Sequence, residues 1–242
     1  EEDLELTNIP DLEDINNMKM LLKSYGAKIK YKSDGLIINS KNISNKVANY
    51  DIVRKMRASI LILGPLLSRF KKARISLPGG CAIGTRPIDI HLEGLAKLGA
   101  SFNIENGFVN AEVKSALIGN TIRLPFASVG ATENIIMASI LARGETIIYN
   151  AAREPEVVDL SNCLRSMGAQ IFGDGTERIR IIGIKKLVKA KHKILSDRIV
   201  AGTYIIAAVM LKHEFTIKQI NPNHLTSLIE LLKKMGANLI IN

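Results

Sequence analysis

Four segments of this chain end alike. MKMLLKSYGAKIKYK (Met18 to Lys32), LEGLAKLGASFNIE (Leu92 to Glu105), LSNCLRSMGAQIFGD (Leu160 to Asp174) and LIELLKKMGANLIIN (Leu228 to Asn242) each read as a short amphipathic helix, a Gly-Ala pair and an alternating strand. Their glycines, Gly26, Gly99, Gly168 and Gly236, stand 73, 69 and 68 residues apart. A glycine one step past the last helical turn takes positive φ without a Cβ penalty, so each is predicted to close its helix. RISLPGG, TIIYNAAREP and FTIKQINPN read as strands that run into a loop ahead of three of these helices. Before those strands lie three apolar helical runs, MRASILILGPLLSRF, GATENIIMASILARG and AGTYIIAAVMLKH. Segments such as GFVNAEV and ERIRIIG supply a further strand.

Repetition at a fixed period constrains architecture, because a unit of this size cannot bury its apolar faces alone. One all-apolar helix per unit, at a period near 70, points to copies arranged around a shared helical centre with sheets outside. The fold class expected is therefore α/β, built from repeated helix-strand-loop-helix-strand units. The first copy opens at the strand EDLELTN without the apolar helix the pattern calls for, and the last copy stops at its strand. The expectation is an excerpt of a longer protein, with a repeat domain over residues 1–195 and the start of a second over 196–242.

Composition narrows the partners. The absence of Trp and the 5% aromatic content leave an aliphatic core. The net charge of +10 favours an anionic partner, whether nucleic acid, an anionic membrane or a phosphorylated small molecule, unless it reflects only a lysine-rich surface. Two cysteines, Cys81 and Cys163, make no disulfide framework, and a reducing cytoplasm is expected. The apolar runs fall short of the roughly 20 residues a membrane helix needs, and the acidic start has no secretory pattern. The four histidines lack metal-ligand spacing, and there is no P-loop or dinucleotide fingerprint. No cofactor or metal is expected.

Chemistry concentrates in SLPGGCAIGTRP (Ser76 to Pro87). Pro78 ends strand pairing, and Gly79-Gly80 opens backbone angles closed to other residues. Pro87 suits the first turn of the next helix, which places Arg86 at a helix N-terminus, where free N–H groups and a guanidinium favour an anion. The same positive field favours a Cys81 thiolate, so the thiol is either a reactive group or an inert one. Cys163 has the apolar spacing of a packed core thiol. Other polar residues carry two readings each. Arg57 caps or pairs near a buried helix, or lines a site. Asp89 is an acid in a helix first turn or a ligand group. Glu154 and Glu156 flank Pro155 as ordinary helix-start residues or face a cleft. His91 is a solvated helix residue or a site residue.

RISLPGGCAIGTRPIDIHLEGLAKLGA closely resembles the catalytic-loop region of the enolpyruvyl transferase family, in the branch that acts on UDP-N-acetylglucosamine. The resemblance continues through KMRASILILGPLLSRF, SVGATENIIMASILARGETIIYNAAREPEVVDL and SDRIVAGTYIIAA, so it covers essentially the whole chain. It implies an inside-out α/β barrel fold, two domains of three repeats, with the site in the cleft between them. The implied reaction transfers the enolpyruvyl group of phosphoenolpyruvate to the 3-hydroxyl of UDP-N-acetylglucosamine and releases phosphate, the first committed step of peptidoglycan synthesis. Cell-wall biogenesis, cell shape and cell division depend on that step. The implied partners are those two small molecules, with neither nucleic acid nor membrane.

Residue by residue, the resemblance makes Cys81 the group that protonates the phosphoenolpyruvate methylene or attacks its C2, and the thiol that fosfomycin alkylates. Arg86 is similar to the arginine that holds the phosphate of phosphoenolpyruvate, and Arg57 to one lining the nucleotide-sugar and phosphate region. Pro87, Ile88, Asp89 and Ile90 match the segment that cradles uridine. Ser128, Val129 and Gly130 match a loop on the uracil and diphosphate, preceded by Phe126 and Ala127. Glu154, Asp197 and Arg198 match polar positions facing the cleft. Family members often carry a lysine where this chain has Phe126, which weakens one diphosphate contact or moves it to another basic group. The Lys-Asn pair of the preceding helix, the catalytic aspartate and several arginines fall outside the sequence, so turnover is not expected of the excerpt alone. The rival readings are a sterile paralogue that binds the nucleotide sugar, a transferase with another acceptor such as shikimate 3-phosphate, and a nucleic-acid-binding repeat protein. The last requires aromatic rings interleaved with basic residues.

Overall fold

The computed structural model describes residues 3–44, 50–53, 56–77 and 88–241. The first repeat runs β1 (Asp3–Thr7), α1 (Glu13–Ser24), β2 (Lys28–Lys32) and β3 (Gly35–Asn39). A short α2 (Tyr50–Val53), a 3-10 turn (Arg57–Ile62) and α3 (Leu63–Phe70) lead into β4 (Lys72–Ser76), α4 (Asp89–Lys97), β5 (Ala100–Glu105) and β6 (Phe108–Val113). Then β7 (Thr121–Arg123) and α5 (Val129–Ser139) precede β8 (Glu145–Tyr149), α6 (Pro155–Ser166), β9 (Gln170–Phe172) and β10 (Arg178–Ile182). The strand β11 (Ala190–Lys193) follows, and beyond it lie α7 (Arg198–Leu211), a 3-10 turn (Pro222–Leu225) and α8 (Thr226–Lys234). The chain divides into two compact units, Glu1–Lys193 and Ile194–Asn242.

The predicted repeat is visible in the pairing. In each of three sheets the third strand of the repeat lies between the other two, antiparallel to both: β1-β3-β2, β4-β6-β5 and β8-β10-β9. A parallel strand extends two of them. β7 pairs with β8, and β11 takes the same place beside β1, with Leu4 opposite Ala190 and Thr7 opposite Lys193. The end of the large unit thus returns to its beginning, a link between residues far apart in the chain that no local pattern announces.

The helix ends explain the Gly-Ala signature. Gly26, Gly99, Gly168 and Gly236 have φ of 103°, 99°, 96° and 92°. In three of them the following alanine N–H bonds the carbonyl five residues back: Ala27 to Leu22, Ala169 to Leu164 and Ala237 to Leu232, at 3.0, 2.9 and 3.0 Å. The glycine supplies the left-handed backbone of this Schellman cap, and the alanine fits the confined space beyond it. Ala27, Ala100 and Ala169 are buried.

Within the larger unit the apolar helices α3 and α5 belong to one core cluster with α4, as in an inside-out α/β barrel. α5 is buried around its circumference, with Ala131, Ile135, Ile136 and Ala138 joined by Thr132, Asn134 and Ser139. Two glycines allow neighbours to approach it. A Cβ on Gly94 of α4 would lie 2.3 Å from Ile135 Cδ1, and one on Gly64 of α3 would lie 2.5 Å from both Asn134 oxygens.

The fourth copy departs from expectation. FTIK and NLII, predicted as strands, carry no strand, although α7 and α8 form as foreseen. In the other repeats the first and second strands never pair with each other; each pairs with the third. The described residues contain no third strand for these two segments, and an extended segment without a ladder has nowhere to place its backbone hydrogen bonds.

Replacing Gly64 by alanine drives a methyl group into the backbone and amide of Asn134, neither of which can rotate away. Gly64→Ala is expected to cost about 2 kcal/mol by overpacking, seen as a fall of roughly 4–8 °C in the thermal midpoint. An unchanged midpoint would refute this account of the α3–α5 contact.

Candidate active site

Three helix starts carry most of the expected site residues that are described, and a buried polar cluster joins them. Arg57 opens the 3-10 turn, Asp89 opens α4, and Ser128 caps α5 by accepting from Ala131 N–H at 3.4 Å. Asn134, fully buried on α5, donates through Nδ2 to the Ile60 carbonyl at 3.0 Å and accepts through Oδ1 from Gly64 N–H at 2.8 Å. Its Nδ2 also lies 3.2 Å from His91 Nδ1 on α4. One side chain therefore ties α5 to the junction of the 3-10 turn with α3, and to α4.

His91 is 3% exposed, which corrects the solvated-helix reading. Burial first, and then the nearby Arg57 guanidinium, pull its pKa down to about 4, so the ring is neutral at physiological pH. Gly130 lies against it: a Cβ there would come 3.1 Å from His91 Cε1 and 3.5 Å from Nε2. Arg57, His91 and the SVG turn are thus brought together.

The remaining expectations fall in several places. Cys81, Arg86 and Pro87 lie outside the described residues. Ile88 and Ile90 are buried in the core cluster, so their side chains pack inward. Phe126, 57% exposed, and Ala127 stand on the loop before α5. Arg123, the last residue of β7, lies over the Tyr149 ring at 4.8 Å. Glu154 is the N-cap residue of α6, and its segment is anchored by a bond from Ala152 N–H to Thr132 Oγ1 of α5 at 3.1 Å. In the smaller unit, Asp197 caps α7 by accepting from Ile199 and Val200 N–H at 2.8 and 2.9 Å, and Arg198 is that helix's first residue. Cys163 is half-buried, and burial with the nearby Asp159 pushes its thiol up to about 11, consistent with an inert packed group. Among the described residues no three His, Cys, Asp or Glu are placed to hold a metal ion, and no helix is long and apolar enough to cross a membrane.

Sequence reasoning missed Glu133. It is the one acid in the apolar run of α5, and that isolation was the available signal. It lines an apolar cavity of about 390 Å³ with Met18 and Leu22 of α1, Leu66 of α3 and Met137 of α5. Burial, then Glu156 and Glu154, push its pKa up to about 7. Between about pH 4.5 and pH 7 the folded chain therefore holds a proton that the unfolded chain has released, and stability falls as pH rises through that window. Glu133→Gln removes the effect. Its gain in unfolding free energy over the wild type is expected to grow from near zero at pH 4.5 to on the order of 2–3 kcal/mol at pH 8. Denaturant titrations of both proteins measure it, and a pH-independent difference would contradict the assignment.

The profile of the EPSP synthase (3-phosphoshikimate 1-carboxyvinyltransferase) family matches residues 1–241. The chain is 50% identical over 235 residues to UDP-N-acetylglucosamine 1-carboxyvinyltransferase 2 of Carboxydothermus hydrogenoformans, covering 97% of this chain and 56% of that protein. It is 54% identical over 209 residues to UDP-N-acetylglucosamine 1-carboxyvinyltransferase of Dinoroseobacter shibae, covering 86% of this chain and 50% of that protein. The chain thus spans about half the length of the curated relatives it matches. In fold it is similar to the enolpyruvyl transferase NikO from Streptomyces tendae, with TM-score 0.83 at 19% identity over all of this chain and 58% of that one. It is also similar to EPSP synthase from Acinetobacter baumannii, with TM-score 0.73 at 24% identity over all of this chain and 56% of that one. With repeats, helical centre and full-length profile in agreement, the chain belongs to the EPSP synthase family of enolpyruvyl (1-carboxyvinyl) transferases.

Proposed function

We propose that the whole protein transfers the enolpyruvyl group of phosphoenolpyruvate to the 3-hydroxyl of UDP-N-acetylglucosamine. The carbon–oxygen bond to phosphate in phosphoenolpyruvate is lost, a bond from that carbon to the sugar oxygen is gained, and inorganic phosphate leaves. The observation that carries the reading is the meeting of Arg57, His91 and Gly130 at the start of α5. A guanidinium and the free amides of a helix start are suited to an anionic diphosphate. The PGGC segment, with Cys81 as acid or nucleophile and Arg86 as phosphate ligand, connects β4 to α4, the helix that carries His91.

The acceptor is inferred from the relatives. Over the matched region, those named for UDP-N-acetylglucosamine are 46–54% identical to this chain, whereas the EPSP synthase structures are 23–24% identical. Shikimate 3-phosphate is accordingly the second choice. The reading assigns the protein to peptidoglycan synthesis in the cytoplasm. The reading involves no nucleic acid.

Phosphate release with both substrates, measured on the whole protein, tests the reaction. Intact mass after fosfomycin and UDP-N-acetylglucosamine tests the thiol. A single adduct, absent from Cys81→Ser and not on Cys163, is expected together with turnover. Nucleotide-sugar binding with neither adduct nor turnover would establish a sterile paralogue, and turnover only with shikimate 3-phosphate would transfer the assignment to that acceptor.

A further inference from the structure

We infer that His91 is a ligand-binding residue of the site, whose Nε2–H joins the free amides of Val129 and Gly130 as a third donor to a phosphate group of the nucleotide. The inference rests on the proposed nucleotide-sugar site and adds to it a residue that neither the motif nor the resemblance assigns.

The tautomer follows from Asn134. Its Oδ1 faces the Gly64 N–H at 2.8 Å and its Nδ2 faces the Ile60 carbonyl at 3.0 Å, so the amide has only one orientation that satisfies both. The second Nδ2 hydrogen is then directed at His91 Nδ1, 3.2 Å away. That nitrogen accepts, and a neutral ring must carry its proton on Nε2. Among the described residues Nε2–H has no hydrogen-bond partner. The residue is only 3% exposed, yet Nε2 is not one of the fully buried side-chain atoms left without a partner, so it keeps an opening through which a ligand oxygen can reach it.

Its direction is set by Gly130. The Cε1–Nε2 edge of the ring borders the space a Gly130 side chain would fill, with Nε2 3.5 Å from the Cβ position. Gly130 is in the first turn of α5, an eleven-residue helix. Ser128 already satisfies two of the first-turn amides there: its Oγ accepts from Ala131 N–H at 3.4 Å and its carbonyl from Thr132 N–H at 2.9 Å. Among the described residues the amides of Val129 and Gly130 make no such bond, which leaves them for a ligand. Absence of a side chain at Gly130 lets an oxygen anion approach these amides and the imidazole edge together. A neutral ring is suited to this task. It donates one directed hydrogen bond without requiring a buried charge when the site is empty, and Arg57 supplies the positive potential.

The test compares UDP with uridine as calorimetric ligands of the whole protein. His91→Phe, which keeps the ring volume and removes both nitrogens, is expected to weaken UDP about tenfold or more and leave uridine unchanged, as for loss of a hydrogen bond to a charged group. His91→Gln, whose amide can reach the same space, is expected to recover part of the loss. Equal weakening of UDP and uridine, or of neither, would overturn the inference and leave His91 a packing residue. Should His91→Phe fail to fold, side-chain nitrogen NMR of the wild type decides. A protonated Nε2 that shifts with UDP and not with uridine supports the assignment, and a protonated Nδ1 or an unmoved Nε2 overturns it. Wild type that binds no UDP-N-acetylglucosamine would instead reject the proposed function. Inorganic pyrophosphate would then probe the donor cluster through the same Nε2 signal, which must shift if the inference holds.

Discussion

Everything at the site depends on the satisfaction of one buried amide. Asn134 places a polar side chain in the middle of an aliphatic helical centre, where each unmade hydrogen bond would cost about 1–3 kcal/mol. All three of its strong bonding directions are used, on Ile60, Gly64 and His91. Leucine in its place would pack well but would fix nothing, because dispersion contacts tolerate sliding by an ångström or more. The amide accepts one relative placement of α3, α4 and α5. The starts of the 3-10 turn before α3, of α4 and of α5 bear Arg57, Asp89 and Ser128–Gly130, so a bond in the core sets the geometry of the candidate site residues. Gly64 and Gly94 belong to the same device, since a Cβ at either would push its helix off the surface of α5.

Much of the fold was legible because its determinants are local. A Schellman cap needs positive φ at one residue and a small side chain at the next, and Gly-Ala says both. The apolar helices were visible as unbroken runs, since a helix surrounded by others has no polar face to show. Strand pairing is not local. Nothing in AKHK marks it as the partner of LELT, and nothing in FTIK reveals that its ladder strand is missing from the described residues. The site divides the same way. Asp89 as a first-turn acid follows from position along a helix. His91 sits only two residues after Asp89, and its burial is decided by what packs on α4. Polar residues whose partners are distant in sequence, Asn134 and Glu133 among them, carry no signal beyond being out of place in an apolar run.

The place of the PGGC motif follows from how the repeats differ. In the first and third repeats the segment between first strand and helix is five residues, 8–12 and 150–154, and each begins with an asparagine in the left-handed region, Asn8 at φ 59° and Asn150 at 57°. The fourth copy turns the same way at Gln219, φ 60°. The second repeat has twelve residues there, 77–88, and Leu77 has no positive φ. The connection is therefore seven residues longer in the one repeat that holds PGGC and RP. Lengthening a connection costs little, because loop-closure entropy grows only with the logarithm of length. The strands and helix on either side keep their pairing and their cap, so the added residues are free to be chosen for chemistry. The added length thus enters a repeated scaffold at a strand-to-helix connection, and the helix that follows it, α4, is the one that His91 and Asn134 hold against α5, at whose start the anion site is proposed.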